Sequence, residues 1–275
     1  MKPILVHIHV FYPDMWWYVR RHLQSLLTYH NKIFITTVKD YPEIEDVSSL
    51  GINAQFIEVE NRGYDVAPFL QVLKLVDLSQ FSYIVKLHSK RDVTGNRFWI
   101  QGYEMTGAAW RDYMYDFLRF DNFQLCVKNF AKDDKLGMTG NFRLVLDYEP
   151  AEDKCWQESL RILQDCLHLH TASYSFVAGS MFMCRAHLMK PLQQLNLTAS
   201  DFEEHQAHNI TTLAHIMERV LGLLVCAQGY TIRDCYTPMY QKISSACCKN
   251  GIWRNWLYPR KEFRKKLLNF CKESI

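Results

Sequence analysis

Residues 4–11, Ile4-Leu5-Val6-His7-Ile8-His9-Val10-Phe11, decide how the rest of the chain is read. The run is short, largely β-branched and bounded by Pro3 and Pro13, which marks a strand rather than a helix. It is apolar at nearly every position, so it predicts a strand covered on both faces, the habit of a parallel sheet under two layers of helix. The chain then repeats the theme. Helical spacing follows over 16–29 (Trp17, Val19, Leu23, Leu26, Leu27), with a second strand over 32–38 and the end of a short helix over 47–50, closed by Gly51. A third strand over 53–59, a helix over 66–75 and a fourth strand over 83–87 complete the regular part. This alternation predicts an α/β fold with a mostly parallel, Rossmann-like sheet flanked by helices. Beyond it the pattern loosens into helices over 99–120 and 123–132, a strand over 136–140 and a helix over 155–167. A strand over 175–184 carrying Gly179-Ser180 and a helix over 210–224 close the pattern.

The bulk composition fits that reading. A chain of 275 residues with 48% hydrophobic and 22% charged residues has material for one large core and needs no disulfide or metal staple. Nine cysteines without a CxxC pair read as reduced thiols of a cytoplasmic protein. The N-terminal apolar run is too short and too broken by His for a signal peptide, and no apolar stretch approaches the ~20 residues needed to span a bilayer. The chain is therefore expected to be soluble or peripheral. Its net charge of +3 conceals an asymmetry. Residues 249–275 hold eight Lys or Arg against Glu262 and Glu273, so the rest is net acidic, which argues against a nucleic-acid partner. We divide the chain into a ligand-binding domain, 1–245, and a basic, aromatic, helical tail, 246–275. Trp253, Trp256, Leu257, Tyr258, Phe263, Leu267, Leu268 and Phe270 alternate there with the cations, so the tail reads either as a helix packed on the domain or as a segment lying on an anionic membrane surface.

In open parallel sheets ligands bind in the crevice at the carboxyl ends of the strands. Four segments are predicted there: Phe11-Tyr12-Pro13-Asp14, Thr36-Thr37, Asn61-Arg62-Gly63-Tyr64-Asp65 and His88-Ser89-Lys90-Arg91-Asp92. Their Gly, hydroxyl, cationic and carboxylate groups suit a phosphorylated ligand. Neither GxGxxG nor GxxxxGK[ST] occurs, which sets aside the dinucleotide and P-loop classes. Asp65 reads equally as a helix N-cap or as a ligand-facing group.

Five blocks in order carry a resemblance: residues 9–14, the run from Asn61 to Leu70, Lys86-Leu87-His88-Ser89-Lys90, Ala178-Gly179-Ser180-Met181-Phe182, and Thr212-Leu213-Ala214-His215 followed by Glu218-Arg219. Together the chain resembles the rhamnan synthesis protein F family, whose members look like GT-A type glycosyltransferases acting in surface polysaccharide synthesis. The resemblance implies a nucleotide-diphosphate-sugar donor bound by Tyr12, Thr37, Asn61, Arg62, Gly63, Asp65, His88, Ser89, Lys90 and Arg91. It implies an acceptor side formed by Gly179, Ser180 and His215. It further implies a general base in Asp201-Phe202-Glu203-Glu204, with Glu203 or Asp201 ahead of Glu204. GT-A enzymes usually hold Mg²⁺ or Mn²⁺ on an Asp-x-Asp after the fourth strand. Leu87-His88-Ser89-Lys90 stands there instead, so the expectation is diphosphate neutralisation by Lys86, Lys90, Arg91 and Arg62 without a metal.

The plain structural readings stand beside these. Acidic residues before a helix stabilise its dipole without chemistry, and a charge run after a strand is often a solvated loop. His205, His208 and His215 share one region but lack a Cys or acidic ligand at zinc-motif spacing, so His215 reads first as a hydrogen-bonding residue of the core or the sugar site. The expected activity is sugar transfer to a hydroxyl of a cell-surface polysaccharide or lipid-linked glycan at the inner face of the membrane, rhamnose being the sugar the family name suggests. A second reading, of another class, is a non-catalytic nucleotide-sugar or glycan-binding module that scaffolds a partner transferase. A third is transfer of a phosphoryl-containing group from the same crevice.

Overall fold

A computed structural model describes residues 2–38, 54–92, 97–100, 103–148, 154–171, 173–204, 212–236 and 238–249. In chain order these form β1 (Ile4–His9), α1 (Trp16–His22), α2 (Gln24–Leu27), β2 (Asn31–Val38), β3 (Ala54–Val59), α3 (Val66–Lys74) and β4 (Tyr83–His88). There follow β5 (Arg97–Ile100), β6 (Tyr103–Thr106), α4 (Gly107–Asp116), α5 (Phe120–Lys132), β7 (Leu136–Thr139), β8 (Val145–Asp147) and α6 (Lys154–Cys166). The last elements are β9 (Ser175–Val177), β10 (Phe182–Arg185), α7 (Leu213–Ala227), β11 (Thr231–Ile232) and α8 (Pro238–Lys249). The expected helix at 47–50, His205 and His208, and residues 250–275 of the tail lie outside the described residues. Cys126, Cys166, Cys184, Cys226 and Cys235 are free thiols.

Seven strands make the central sheet in the order β11-β7-β10-β4-β1-β2-β3. Strands β1, β2, β3 and β4 run parallel, and β10 alone runs antiparallel, between β4 and β7. Every residue of β1 and of β4 is buried, as two-sided helical cover requires. Helix α3 shows why the chain folds back here. Val66, Phe69, Leu70, Val72 and Leu73 recur at helical spacing and are all buried, each contributing about 1.5–3 kcal/mol of burial. Pro68 falls in the first turn, where its missing N–H costs nothing. The helix packs on β1, α7 and the 3-10 helix over 186–194.

Three expectations are corrected. The helix over 16–29 breaks at Leu23 into α1 and α2. The expected helix over 99–120 is a hairpin, β5–β6, before α4. Thr106 accepts a hydrogen bond from the Ala109 N–H at 3.2 Å and so starts the helix at Gly107, leaving the aromatic and β-branched residues upstream to pair as strands. The strand over 175–184 is two strands, β9 and β10, separated by a turn in which Gly179 (φ 80°) and Ser180 (φ 51°) are both left-handed.

Candidate functional site

The carboxyl ends of β1, β2 and β4 carry polar side chains at every second position of otherwise apolar strands. His7 and His9 on β1 lie opposite Lys86 and His88 on β4, so all four share one face of the sheet. His7 Nε2 and His9 Nδ1 both bond to Thr36 Oγ1 on β2, at 2.9 and 3.0 Å. Thr37 therefore points to the other face, away from this group.

Lys86 is wholly buried, and its ammonium meets the Asp65 carboxylate at the head of α3. The same ammonium donates to the backbone oxygen of Ser180 at 3.1 Å and to its Oγ at 2.9 Å. Ser180 Oγ in turn donates to Asp65 Oδ2 at 2.5 Å. The left-handed turn between β9 and β10 is what aims both Ser180 oxygens at Lys86. Asp65 does not cap its own helix with its side chain; the carboxylate turns to this cluster instead. Burial works against its charge, but the His88 ring, the Lys86 ammonium and the Ser180 hydroxyl hold it well below the usual carboxylate range. His88 Nδ1 stands 3.5 Å from Asp65 Oδ2 and has no hydrogen-bond partner among the described residues. Burial lowers His88 to about 3 and His9 to about 4, so both rings are neutral at pH 7.

Around this centre the loop after β4 is held from two sides. Ser89 Oγ accepts from the Tyr12 N–H at 2.8 Å, Tyr115 on α4 donates to the His88 carbonyl at 2.6 Å, and Arg111 donates to the Lys90 carbonyl at 3.5 Å. The Lys90 ammonium lies 5.0 Å over the Trp110 ring and has no ion-pair partner among the described residues. Burial lowers its pKa from the ordinary lysine value. Arg91 is exposed, paired with Asp14 at 2.7 Å and placed over the Tyr12 ring.

The acidic segment lies against the loop before α3. Arg62 donates to the Phe202 carbonyl at 2.9 Å and to Glu204 Oε1 at 2.6 Å, while Asn61 is exposed. Gly63 (φ 66°) sits where a Cβ would meet the Phe202 ring and Ala67 Cβ at 2.7 Å. Glu203 accepts from the Leu213 N–H at 3.0 and 3.1 Å, the first residue of α7. Asp201 closes a capping box with Thr198 on an exposed turn. All three acidic residues thus have a local structural partner. His215 bonds Thr212 Oγ1 at 2.7 Å and packs edge-on against Tyr64. One turn further along α7, Glu218 Oε1 accepts from the Gly179 N–H at 2.9 Å.

The structure thus brings together Asp65, His88, Ser180 and Gly179, flanks them with Tyr12, Ser89 and Lys90, and sets Thr37, Asn61, Arg91 and Asp201 outside the cluster. His7 joins it from outside every segment singled out in the sequence, while His9, Thr36 and Glu218 lay in such segments without an assigned role, and Lys86, expected to neutralise diphosphate, is paired with Asp65 instead. The two His and Lys86 were visible as polar residues at period two within apolar strands. Metal ligation fits poorly here: no three His, Cys, Asp or Glu side chains gather among the described residues, and the Asp65 carboxylate is already matched by Lys86. No catalytic step is therefore routed through a metal.

A mainly parallel central sheet flanked by helices, with charged and polar side chains gathered at the carboxyl ends of its central strands, is compatible with a Rossmann-like α/β fold. The chain belongs to the rhamnan synthesis protein F family, whose profile matches residues 1–230. Membership implies involvement in polysaccharide synthesis. The chain is also similar to the uncharacterized protein WxcX of Xanthomonas campestris pv. campestris, from strain B100 and from strain ATCC 33913, at 29% identity over 212 residues in each case. That match covers 73% of this chain and 28% of each relative, so the chain spans less than a third of the curated relatives it matches.

Proposed function

We propose that this chain is a glycosyltransferase domain of GT-A type. It binds a nucleotide-diphosphate sugar at the carboxyl ends of β1 and β4 and passes the sugar to a hydroxyl of a surface polysaccharide or lipid-linked glycan. One observation carries the reading: Lys90 is a largely desolvated cation at the carboxyl end of β4 with no ion-pair partner among the described residues, Asp65 and Glu218 acting on it only at a distance. A desolvated ammonium gains most from a ligand that brings negative charge, and a diphosphate brings the charge that must be stabilised as it departs. Lys86 is committed to Asp65 and Arg91 to Asp14, so Lys90 is the cation assigned to the diphosphate. The neutral His88 ring borders the same group, its Nδ1 3.5 Å from Asp65 Oδ2.

Family membership supplies the polysaccharide context, and the sheet is compatible with the GT-A assignment. The donor side is formed by Tyr12, Ser89, Lys90 and the 61–65 loop; the acceptor side lies at Gly179, Ser180 and His215, near the 201–204 segment. No helix among the described residues is long and apolar enough to cross a membrane. Work at the inner membrane face, with the 246–275 tail on the lipid surface, accords with a lipid-linked acceptor.

The test is a thermal-shift titration with UDP, GDP, dTDP and their sugars, with and without EDTA. A ligand at ~100 times its dissociation constant adds about 2.7 kcal/mol of stability, a shift of several degrees. The expected result is a shift with one nucleotide class, unchanged by EDTA and lost in Lys90→Met. No shift with any nucleotide would overturn the donor assignment.

A further inference from the structure

We propose that Glu218 on α7 is the general base that takes the proton from the acceptor hydroxyl, resting on the transferase reading above.

The position follows from helix geometry. His215 and Glu218 are three apart and share one face of α7. That face looks onto two loops of the site: His215 touches Tyr64, next to Asp65, and Glu218 holds the Gly179 N–H, next to Ser180. Gly222, one further turn along, closes the approach. A Cβ there would lie 2.2 Å from the Ser175 carbonyl oxygen, so α7 is pressed against β9 and cannot turn Glu218 aside. The side chain is 15% exposed, open to a ligand yet shielded from bulk water.

The other carboxylates near the crevice are poorer bases. Asp65 is held by Lys86 and Ser180, which makes it reluctant to accept a proton. Glu203 is spent on the first turn of α7, Glu204 on Arg62, and Asp201 on its own turn. Glu218 has one backbone N–H and, at 3.4 Å, the Arg219 guanidinium. Burial raises its pKa above the ordinary glutamate value, and Arg219 limits the rise, an arrangement that brings a carboxylate nearer to neutral pH. In the step itself the acceptor O–H proton passes to a Glu218 oxygen while the hydroxyl oxygen's electron pair forms the bond to the anomeric carbon. The bond from that carbon to the diphosphate breaks, and its electron pair leaves on the diphosphate beside Lys90.

Glu218→Gln tests this, because the amide oxygen still accepts from the Gly179 N–H and so keeps any purely positional role. Nucleoside diphosphate release is measured from UDP-, GDP- and dTDP-sugars with water as acceptor, between pH 5 and 9, alongside the nucleotide thermal shift. The expected result is an unchanged shift, release reduced by ~100-fold or more, and loss of the acidic limb of the wild-type pH profile. A Gln variant within threefold of wild type, with that limb intact, overturns the proposal. If the Gln variant does not stay folded, Glu218→Asp replaces it: slower release with the acidic limb retained supports the base, and wild-type release overturns it. Wild-type protein that binds nucleotide but releases nothing from any donor removes the transferase reading and this proposal with it, an outcome distinct from an active, Gln-tolerant enzyme.

Discussion

The Lys86 ammonium, wholly buried at the end of a central strand, is matched by the carboxylate of Asp65, which stands at the N-terminus of the following helix in space, not in sequence. Removing one member of a buried pair leaves an uncompensated charge and typically costs about 3–5 kcal/mol. Asp65→Ala should lower the urea midpoint accordingly, and Asp65→Ala with Lys86→Met should recover much of the loss. Equal losses in the single and double variants would show that the pair does not hold the strand end to α3.

Acid should weaken the fold well before carboxylates titrate. His9 and His88 are buried neutral, with folded values of about 4 and about 3 against about 6.5 in the unfolded chain. The unfolded state therefore binds more protons below pH 6.5, so their contribution is complete above that pH and is lost as pH falls toward 4. Each ring removes up to ~1.4 kcal/mol per pH unit in that window. His7, shifted the same way by burial, adds to the slope. Asp65, held well below the usual carboxylate range, keeps its charge throughout it. Chemical denaturation at pH 7, 6 and 5 reads the trend, and a flat profile would contradict it.

Glu203 should behave as a helix cap. Glu203→Ala removes the acceptor for the Leu213 N–H and should cost about 0.5–2 kcal/mol in thermal unfolding, leaving nucleotide affinity within twofold. A tenfold loss of nucleotide affinity with unchanged stability would assign it to the ligand instead.

Gly63→Ala should both destabilise and disorganise the loop before α3. The residue is left-handed, and its new methyl would press on Phe202, whose segment carries Glu203 and Glu204. Backbone strain and overpacking together predict about 2 kcal/mol or more. A variant as stable as the parent would show that the Phe202 segment yields freely.

The first four strands and α3 were legible because buried parallel strands leave continuous apolar runs and α3 leaves helical spacing. The hairpin β5–β6 was not: Trp99, Tyr103 and Trp110 fit a helical stripe as well as paired strands, and only the Thr106 cap decides between them. Strands β8 and β11 hold three and two residues, too few for a period. At the site, Asp65, His88 and Lys90 stood where strand ends predict ligands. Glu218 lay in a block that carried the family resemblance, yet a lone Glu on an apolar helix shows no role until the Gly179 turn is seen beneath it. The acidic run at 201–204 drew attention for its charge, which the fold spends largely on capping and on Arg62.

The antiparallel strand β10 has a bearing on how the chain is made. It covers the outer edge of β4, and it lies far along the sequence, at Phe182–Arg185. Until that segment leaves the ribosome, the nascent sheet β3-β2-β1-β4 ends in a bare, apolar edge. At about 5–20 residues per second the wait is on the order of ten seconds. An unpaired strand of this kind is a template for association with other chains. Truncations ending between residues 89 and 181 should therefore aggregate, and in the cell the first half of the domain is a natural client for chaperones that shield nascent strands.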